Sequence, residues 1–260
     1  MIQIHRRPIA FALIAVATYF AHRASAEEQV TFAEHHLVPR PAIVSSRLDQ
    51  NSKLSDYIAR RIGEFDQIPS QRKAALDELA RYVSECRSAG RPARLTFICT
   101  HNSRRSHMAQ LWAAAAATHF GTGGVETYSG GTEATAFNPR AVAALQRAGF
   151  QIATPESTSA DADASNPRYQ VTLATNPEPL ICFSKVYDSP PNPTTDFCAV
   201  MTCSHADENC PVVLGATHRI VITYVDPKLA DDTPDESATY DERSAQIARE
   251  MFCAFSQVER

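Results

Sequence analysis

The sequence predicts an α/β fold, an open parallel sheet with helices on both faces, preceded by a helical N-terminal appendage. Three observations predict it. Between Gly90 and Val258, short apolar runs alternate with stretches of helical period, the pattern of βαβ units. The composition is that of a chain that builds a core, 44% hydrophobic and 21% charged with 16 Pro and only 9 Gly, which excludes a collagenous or disordered chain. The 260 residues hold one large domain, or a domain with an appendage, and no long repeat array. With 25 basic against 29 acidic residues the chain lacks the basic footprint of a nucleic-acid binder, so no nucleic-acid partner is expected.

Taken in order, residues 1–26 read as a cleaved export signal. Arg6 and Arg7 precede an apolar stretch from Ile9 to Ala21, and Ala24-Ser25-Ala26 supplies the small residues of a cleavage site. That stretch is about 13 residues, short of the roughly 20 needed to span a bilayer, which makes an uncleaved anchor the lesser alternative. Cleavage after Ala26 removes three of the 25 basic residues and no acid, leaving 22 against 29 acidic, a net charge of −7. The mature chain is expected to be exported, in the periplasm, without stable membrane association.

Residues 27–90 form an irregular lead-in and a helical appendage. Leu54, Ile58, Ile62 and Phe65 recur at helical spacing, and a second helix runs from after Ser70 to Gly90 with Leu76, Leu79, Val83 and Cys86 on one face. The catalytic part spans residues 91–260. Its strands are read at Leu95–Ile98, Val125–Tyr128, Gln170–Leu173, Ile181–Val186, Phe197–Thr202 and Arg219–Val225. Helices start near Ser106 and at Asn138-Pro139, the latter stopping at Gly149. Residues 154–167 read as an exposed loop. Thr233-Pro234-Asp235-Glu236 reads as a capping box with Thr233 as cap, followed by a core stripe of Tyr240, Ile247, Met251, Phe255 and Val258.

The chemistry concentrates in Cys99-Thr100-His101-Asn102-Ser103-Arg104-Arg105-Ser106, where a Cys ends a strand and an Arg follows five residues later at the start of a helix. Successive backbone N–H groups of such a loop converge on a tetrahedral oxyanion, the helix N-terminus adds partial positive charge, and Arg105 holds two oxygens at once. The same field favours a thiolate, which makes Cys99 the candidate nucleophile. Ser106 can donate to that sulfur, and Asn102 can brace the loop. His101 either crowds the turn or extends the site, and Arg104 either adds positive charge beside the anion or is solvated. Cys86, Cys182, Cys198 and Cys253 sit in apolar surroundings and read as core.

Cys99-Thr-His-Asn-Ser-Arg-Arg-Ser-His-Met-Ala109 resembles the phosphate-binding loop of the low-molecular-weight protein tyrosine phosphatase superfamily, which includes the thioredoxin-coupled arsenate reductases. Tyr128-Ser129-Gly130-Gly131-Thr132, Phe137-Asn138-Pro139-Arg140-Ala141 and Tyr224-Val225-Asp226-Pro227 are similar to further stretches of that superfamily. The resemblance covers roughly residues 94–258. It implies the fold of that superfamily, a Cys99 nucleophile, an Arg105 oxyanion clamp and Asp226 as general acid. The classical tyrosine phosphatases match less well, because Ile98 stands where they carry His and the candidate acid follows the loop instead of preceding it. Lys228 and Leu229 stand where tyrosine-specific members carry aromatic residues.

Thr202-Cys203-Ser204-His205-Ala206-Asp207-Glu208-Asn209-Cys210-Pro211 resembles the redox segment of the arsenate reductases. The resemblance implies that Cys203 attacks the arsenic-bound Cys99 and that Cys210 then captures Cys203. Three other readings stay open for this pair: a structural disulfide favoured by export, a zinc site of Cys203, His205 and Cys210 with Cys198 or His218, or idle thiols. The expected substrate is a phosphate or arsenate oxyanion. Arsenate reduction, with a thioredoxin-like reductant, leads; phosphomonoester or phosphotyrosine hydrolysis through a phosphocysteine is the alternative, and a binding module without turnover is the third. No cofactor or metal is implied.

Overall fold

Apolar periodicity organises the helices and a largely apolar run organises the central strand, as the computed structural model of residues 53–154, 165–173 and 178–259 shows. The expected export signal, residues 27–50, and residues 155–164 of the acidic loop lie outside the described residues. Helix α1 (residues 53–62) turns Leu54, Ile58 and Ile62 inward, and Tyr57 stacks on Trp112 at 5.3 Å. Phe65 lies in a 3-10 turn, Phe65–Gln67, packed against the same core. Helix α2 (Ser70–Ser88) buries Leu76, Leu79, Val83 and Cys86 as its spacing predicts. Its Arg72 grips Glu250 with two bonds of 2.7 and 2.5 Å, and that carboxylate is 1% exposed.

Strands β1 (Ala93–Cys99), β2 (Val125–Gly131), β6 (Phe197–Met201) and β7 (Ala216–Val221) form one parallel sheet in the order β2-β1-β6-β7. The central β1 is buried along its length except at Arg94, as a strand flanked and covered on both faces must be. Alternate side chains divide the interior. Leu95, Phe97, Cys198 and Val200 face a large core with α2, α3 (Arg105–Phe120), α4 (Pro139–Ala148) and α6 (Glu236–Ser256). Ile98, Phe197, Ala199 and Met201 face a small core covered by the short α5 (Ser204–Asn209). Helices therefore lie on both faces, unequally.

Three features differ from the sequence reading. The strands expected at Gln170–Leu173 and Ile181–Val186 do not join the parallel sheet. They shorten to β4 (Tyr169–Thr172) and β5 (Leu180–Cys182) and pair antiparallel with β3 (Gln151–Ala153), in the order β3-β4-β5. The few residues linking β4 to β5 are too short for a helical crossover, so antiparallel pairing is the geometry open to them. β7 stops at Val221, and the chain then runs past the end of β6, with Ile222 N donating to Met201 O and Tyr224 N to Thr202 O. Thr233 does not cap α6. Its hydroxyl donates to Ala230 O, Glu236 Oε2 accepts from Asp232 N, and Asp235 takes the cap position without a side-chain bond.

The helix start at Asn138-Pro139 is as read: Asn138 Oδ1 accepts from Arg140 N at 2.9 Å, and Gly149, at φ +111°, ends α4. The stripe on α6 is buried from Tyr240 to Phe255, and Val258, just past the helix, is buried too.

Candidate active site

β1 ends at Cys99, and residues 100–104 carry the chain into α3. Asn102 holds this turn. It sits in the left-handed region at φ +44°, which Asn tolerates better than most residues, and is fully buried. Its Oδ1 accepts from Lys185 N and its Nδ2 donates to Ser106 Oγ, both at 2.9 Å. Because Ser106 Oγ already accepts there, its single proton is free to point at Cys99 Sγ, 3.1 Å away.

The loop's carbonyls are tied on its outside. Thr100 O accepts from Glu133 N and Thr132 Oγ1, His101 O from Ser184 Oγ and Thr135 Oγ1, and Ser103 O from Asn138 N. In a trans peptide the N–H opposes the C=O, so carbonyls held outside leave the N–H edge on the inner side, where an anion fits. Gly131 permits this wrapping. A Cβ there would lie 2.6 Å from Thr100 O and 2.7 Å from Asn102 N.

Arg105 closes the cradle. It donates to Tyr224 O at 3.0 Å and to Asp226 Oδ2 at 2.7 Å, while its buried Nε has no partner among the described residues. A buried unpaired donor costs on the order of 1–3 kcal/mol, a penalty that an oxygen from a bound oxyanion would relieve. Asp226 caps the 3-10 turn Pro227–Ala230 through Oδ1, which accepts from Lys228 N at 3.1 Å. The structure thus brings Cys99, Ser106, Arg105 and Asp226 to one end of the parallel sheet. Leu229, just beyond, is 82% exposed.

Arg104 behaves otherwise than read, and one of the two readings of His101 falls. Arg104 neither reaches the anion nor lies in solvent. Its Nε donates to Tyr240 OH at 2.7 Å and its NH2 to Asp231 Oδ2 at 3.3 Å, with Tyr240 OH closing the triangle on Asp231 Oδ1 at 2.8 Å. The side chain ties the loop to α6. His101 does not crowd the turn, because its ring leaves the loop toward Glu133, 3.3 Å away.

Cys203 caps α5, its Sγ accepting from Ala206 N at 3.3 Å, and is fully buried in the small core that also holds Cys99. Thr100 Oγ1 lies 3.5 Å from that sulfur. Cys210 ends the same helix, half-buried. All seven cysteines are free, so no structural disulfide joins the pair. At about 1.5 Å rise per residue, α5 holds the two Cα atoms roughly 10 Å apart, beyond the roughly 7 Å a disulfide spans. Joining them requires α5 to uncoil. His218, one residue of the zinc reading, instead packs against Tyr82 in a tilted pair at 4.8 Å, and no metal-holding cluster is present among the described residues.

The sequence reading missed the buttress behind the loop. Lys185 is buried, which pushes its ammonium down to about 8. His107 is held well below its usual value by burial, then by the nearby Lys185 charge, so it sits neutral, 3.1 Å from Ser129 Oγ and stacked on Phe137 at 4.0 Å. Lys185 reaches the loop from a distant segment that no spacing in the sequence marks, whereas His107 follows the loop directly on α3 and carries no sign of its burial in the sequence.

The four core cysteines are as read, all buried. Burial pushes the Cys182 thiol up to about 12 and raises Cys198 and Cys253 as well. A thiol reacts as its thiolate, and one raised to about 12 stays protonated at pH 8. Alkylation of the folded, reduced chain at pH 8 is therefore expected to label Cys210 ahead of Cys182, Cys198 and Cys253, which react only after denaturation. Peptide mass mapping reads this, and native-state labelling of Cys182 at the rate of Cys210 would contradict it.

Part of the chain matches a known family. Residues 94–188 match the low molecular weight phosphotyrosine protein phosphatase family, a stretch that includes the whole anion loop and precedes Cys203, Cys210 and Asp226. An arsenate reductase of Brevibacillus brevis is 28% identical over 153 residues, 59% of this chain and 90% of the relative. An arsenate reductase of Bacillus licheniformis is 29% identical over 162 residues, 62% of this chain and 93% of the relative. Arsenate reductase 2 of Staphylococcus epidermidis is 31% identical over 117 residues, 45% of this chain and 65% of the relative. Among solved structures, a low molecular weight phosphotyrosine phosphatase of Vibrio cholerae aligns with a TM-score of 0.40 at 13% identity, covering 63% of this chain and 94% of the other. A thioredoxin-dependent arsenate reductase of Corynebacterium glutamicum aligns with a TM-score of 0.36 at 18% identity, covering 78% and 86%.

Proposed function

We propose that this chain, which matches the low molecular weight phosphotyrosine protein phosphatase family over residues 94–188 and has arsenate reductases among its relatives, is a thiol-dependent arsenate reductase. The observation that carries the reading is the position of Cys203: buried with Cys99, capping a helix, its sulfur against the first residue of the anion loop. A hydrolytic phosphatase has no use for a second thiol there.

In the proposed cycle the loop's N–H groups and Arg105 hold arsenate, and the Cys99 thiolate attacks arsenic. A hydroxyl on arsenic leaves as water, its proton supplied by Asp226, giving a Cys99–As(V) adduct. The Cys203 thiolate then attacks Cys99 Sγ. The S–S bond forms, the S–As bond breaks, and its electron pair stays on arsenic, which departs as arsenite. Cys210 attacks Cys203 Sγ, freeing Cys99 as thiolate and leaving the Cys203–Cys210 disulfide. One dithiol equivalent is oxidised for each arsenate reduced. A thioredoxin-like dithiol resets the pair. On the pattern of residues 1–26 we place this chemistry outside the cytoplasm, so the reductant is a dithiol protein of that compartment.

Phosphomonoester hydrolysis is the second reading, favoured by Asp226 at the mouth of the cradle, 2.7 Å from Arg105, where it could protonate a leaving alcohol and then activate water. Steady-state assays of the intact chain separate the two. Arsenate-dependent oxidation of a dithiol is the expected result; aryl phosphate hydrolysis with no arsenate-dependent dithiol oxidation would overturn the reductase reading.

A further inference from the structure

We infer that His205 takes the proton of Cys203 through the hydroxyl of Thr100, preparing the second thiol of the relay for attack on Cys99; the inference rests on the redox reading above. Thr100 Oγ1 lies 3.5 Å from Cys203 Sγ and 3.3 Å from His205 Nδ1, bridging the two. The two ends of this bridge face different media. Cys203 is fully buried, Thr100 is nearly so, and His205 is exposed. A proton leaving the Cys203 thiol therefore has a path to water through one hydroxyl and one imidazole.

The hydroxyl has a single proton, so the bridge has two directions. With Nδ1 unprotonated, the thiol donates to Thr100 Oγ1 and Thr100 donates to Nδ1. Moving one proton along each bond gives a Cys203 thiolate that accepts from Thr100, which in turn accepts from Nδ1–H. A neutral thiol and a neutral imidazole become a thiolate and an imidazolium, and no charge or proton is lost. The thiolate gains a second donor in Ala206 N–H, the amide that Cys203 already accepts from as cap of α5, and the helix N-terminus favours its charge. His205 acts through Thr100 and does not touch the arsenic; it is a positioning residue.

Other titratable groups nearby are accounted for. Cys99 shares the small core with Cys203. Asp226 is paired with Arg105, His101 with Glu133, and Asp207 of α5 with Arg219, while Glu208 on the same helix is exposed.

The test is single-turnover arsenite release from the full chain carrying Cys210→Ser, which stops after the Cys99–Cys203 bond, followed from pH 5 to pH 9. His205→Asn, a change at an exposed position, keeps a hydrogen-bonding group but takes no proton; it is expected to slow release at pH 7 by about 10²-fold, and the deficit is expected to shrink toward pH 9, where hydroxide takes the thiol proton directly. Thr100→Ser keeps the hydroxyl and the rate; Thr100→Val slows release as His205→Asn does. A His205→Asn chain with unchanged rate and profile overturns the inference. If Cys203→Ser abolishes release while His205→Asn changes nothing, the proton path alone falls. If Cys203→Ser still releases arsenite, the redox reading falls and the inference with it.

Discussion

Cys99→Ser is expected to abolish both arsenate turnover and aryl phosphate hydrolysis, by about 10⁴-fold or more in kcat, because every step of either chemistry passes through a bond to that sulfur. A serine hydroxyl ionises far less readily than a thiol, and the cradle's field is not enough to make it an alkoxide at neutral pH. The fold is expected to survive. The position is an isosteric one at the end of a buried strand, and Ser106 Oγ, now 3.1 Å from Cys99 Sγ, can bond a hydroxyl there as well. Retained oxyanion binding with lost turnover, measured by competition with inorganic phosphate, separates loss of the nucleophile from loss of the loop. Appreciable aryl phosphate turnover by the Cys99→Ser chain would place the nucleophile elsewhere.

Cys203→Ser is the second large effect and the more discriminating. Arsenate turnover is expected to fall by about 10³-fold or more, since no sulfur remains to break the Cys99–arsenic bond, whereas aryl phosphate hydrolysis calls on Cys99, Arg105 and Asp226 alone. Serine is among the better helix caps, so α5 keeps its N-terminus and the small core keeps its cover. Equal loss of both activities would make Cys203 structural, and unimpaired arsenate turnover would make it idle. Parallel steady-state kinetics on the two substrates give the answer directly.

The parts of this site that lie together along the chain were legible in the sequence. The loop from Cys99 to Ser106 joins a strand to a helix, and chemistry that depends on backbone N–H groups and a helix N-terminus needs no distant partner to be recognised. Asp226 came from the resemblance, since an Asp-Pro pair after an extended run is by itself an ordinary turn, and its side chain lies 2.7 Å from Arg105. The direction of Arg104 was not legible. Its partners, Tyr240 and Asp231, come from the far end of the chain, and only the packing of α6 against α3 brings them in. Ser184 and Lys185 escaped notice for the same cause.

The antiparallel sheet was not legible, with β3 unread and β4 and β5 expected in the parallel sheet, because three- and four-residue strands carry too little period to show which neighbour they will choose. The capping box at Thr233 failed because a competing turn took its hydroxyl. The contact of Thr100 with both Cys203 and His205 depends on α5 lying against β1, where residues about a hundred positions apart meet. Helices α1 and α2, read along the chain as a segment before the α/β part, bury their apolar faces in the same core as α3 and α6.

The central claim is that electrons pass from Cys203 and Cys210 to a substrate held on Cys99. Mixing the fully reduced chain with one equivalent of arsenate, quenching with acid and an alkylating reagent, and mapping the peptides by mass tests it most directly. The account predicts one disulfide per arsenate consumed, joining Cys203 to Cys210, with Cys99 returned to the alkylated thiol pool. Seven alkylated cysteines after arsenate has been consumed, or a disulfide that excludes Cys203, would contradict it.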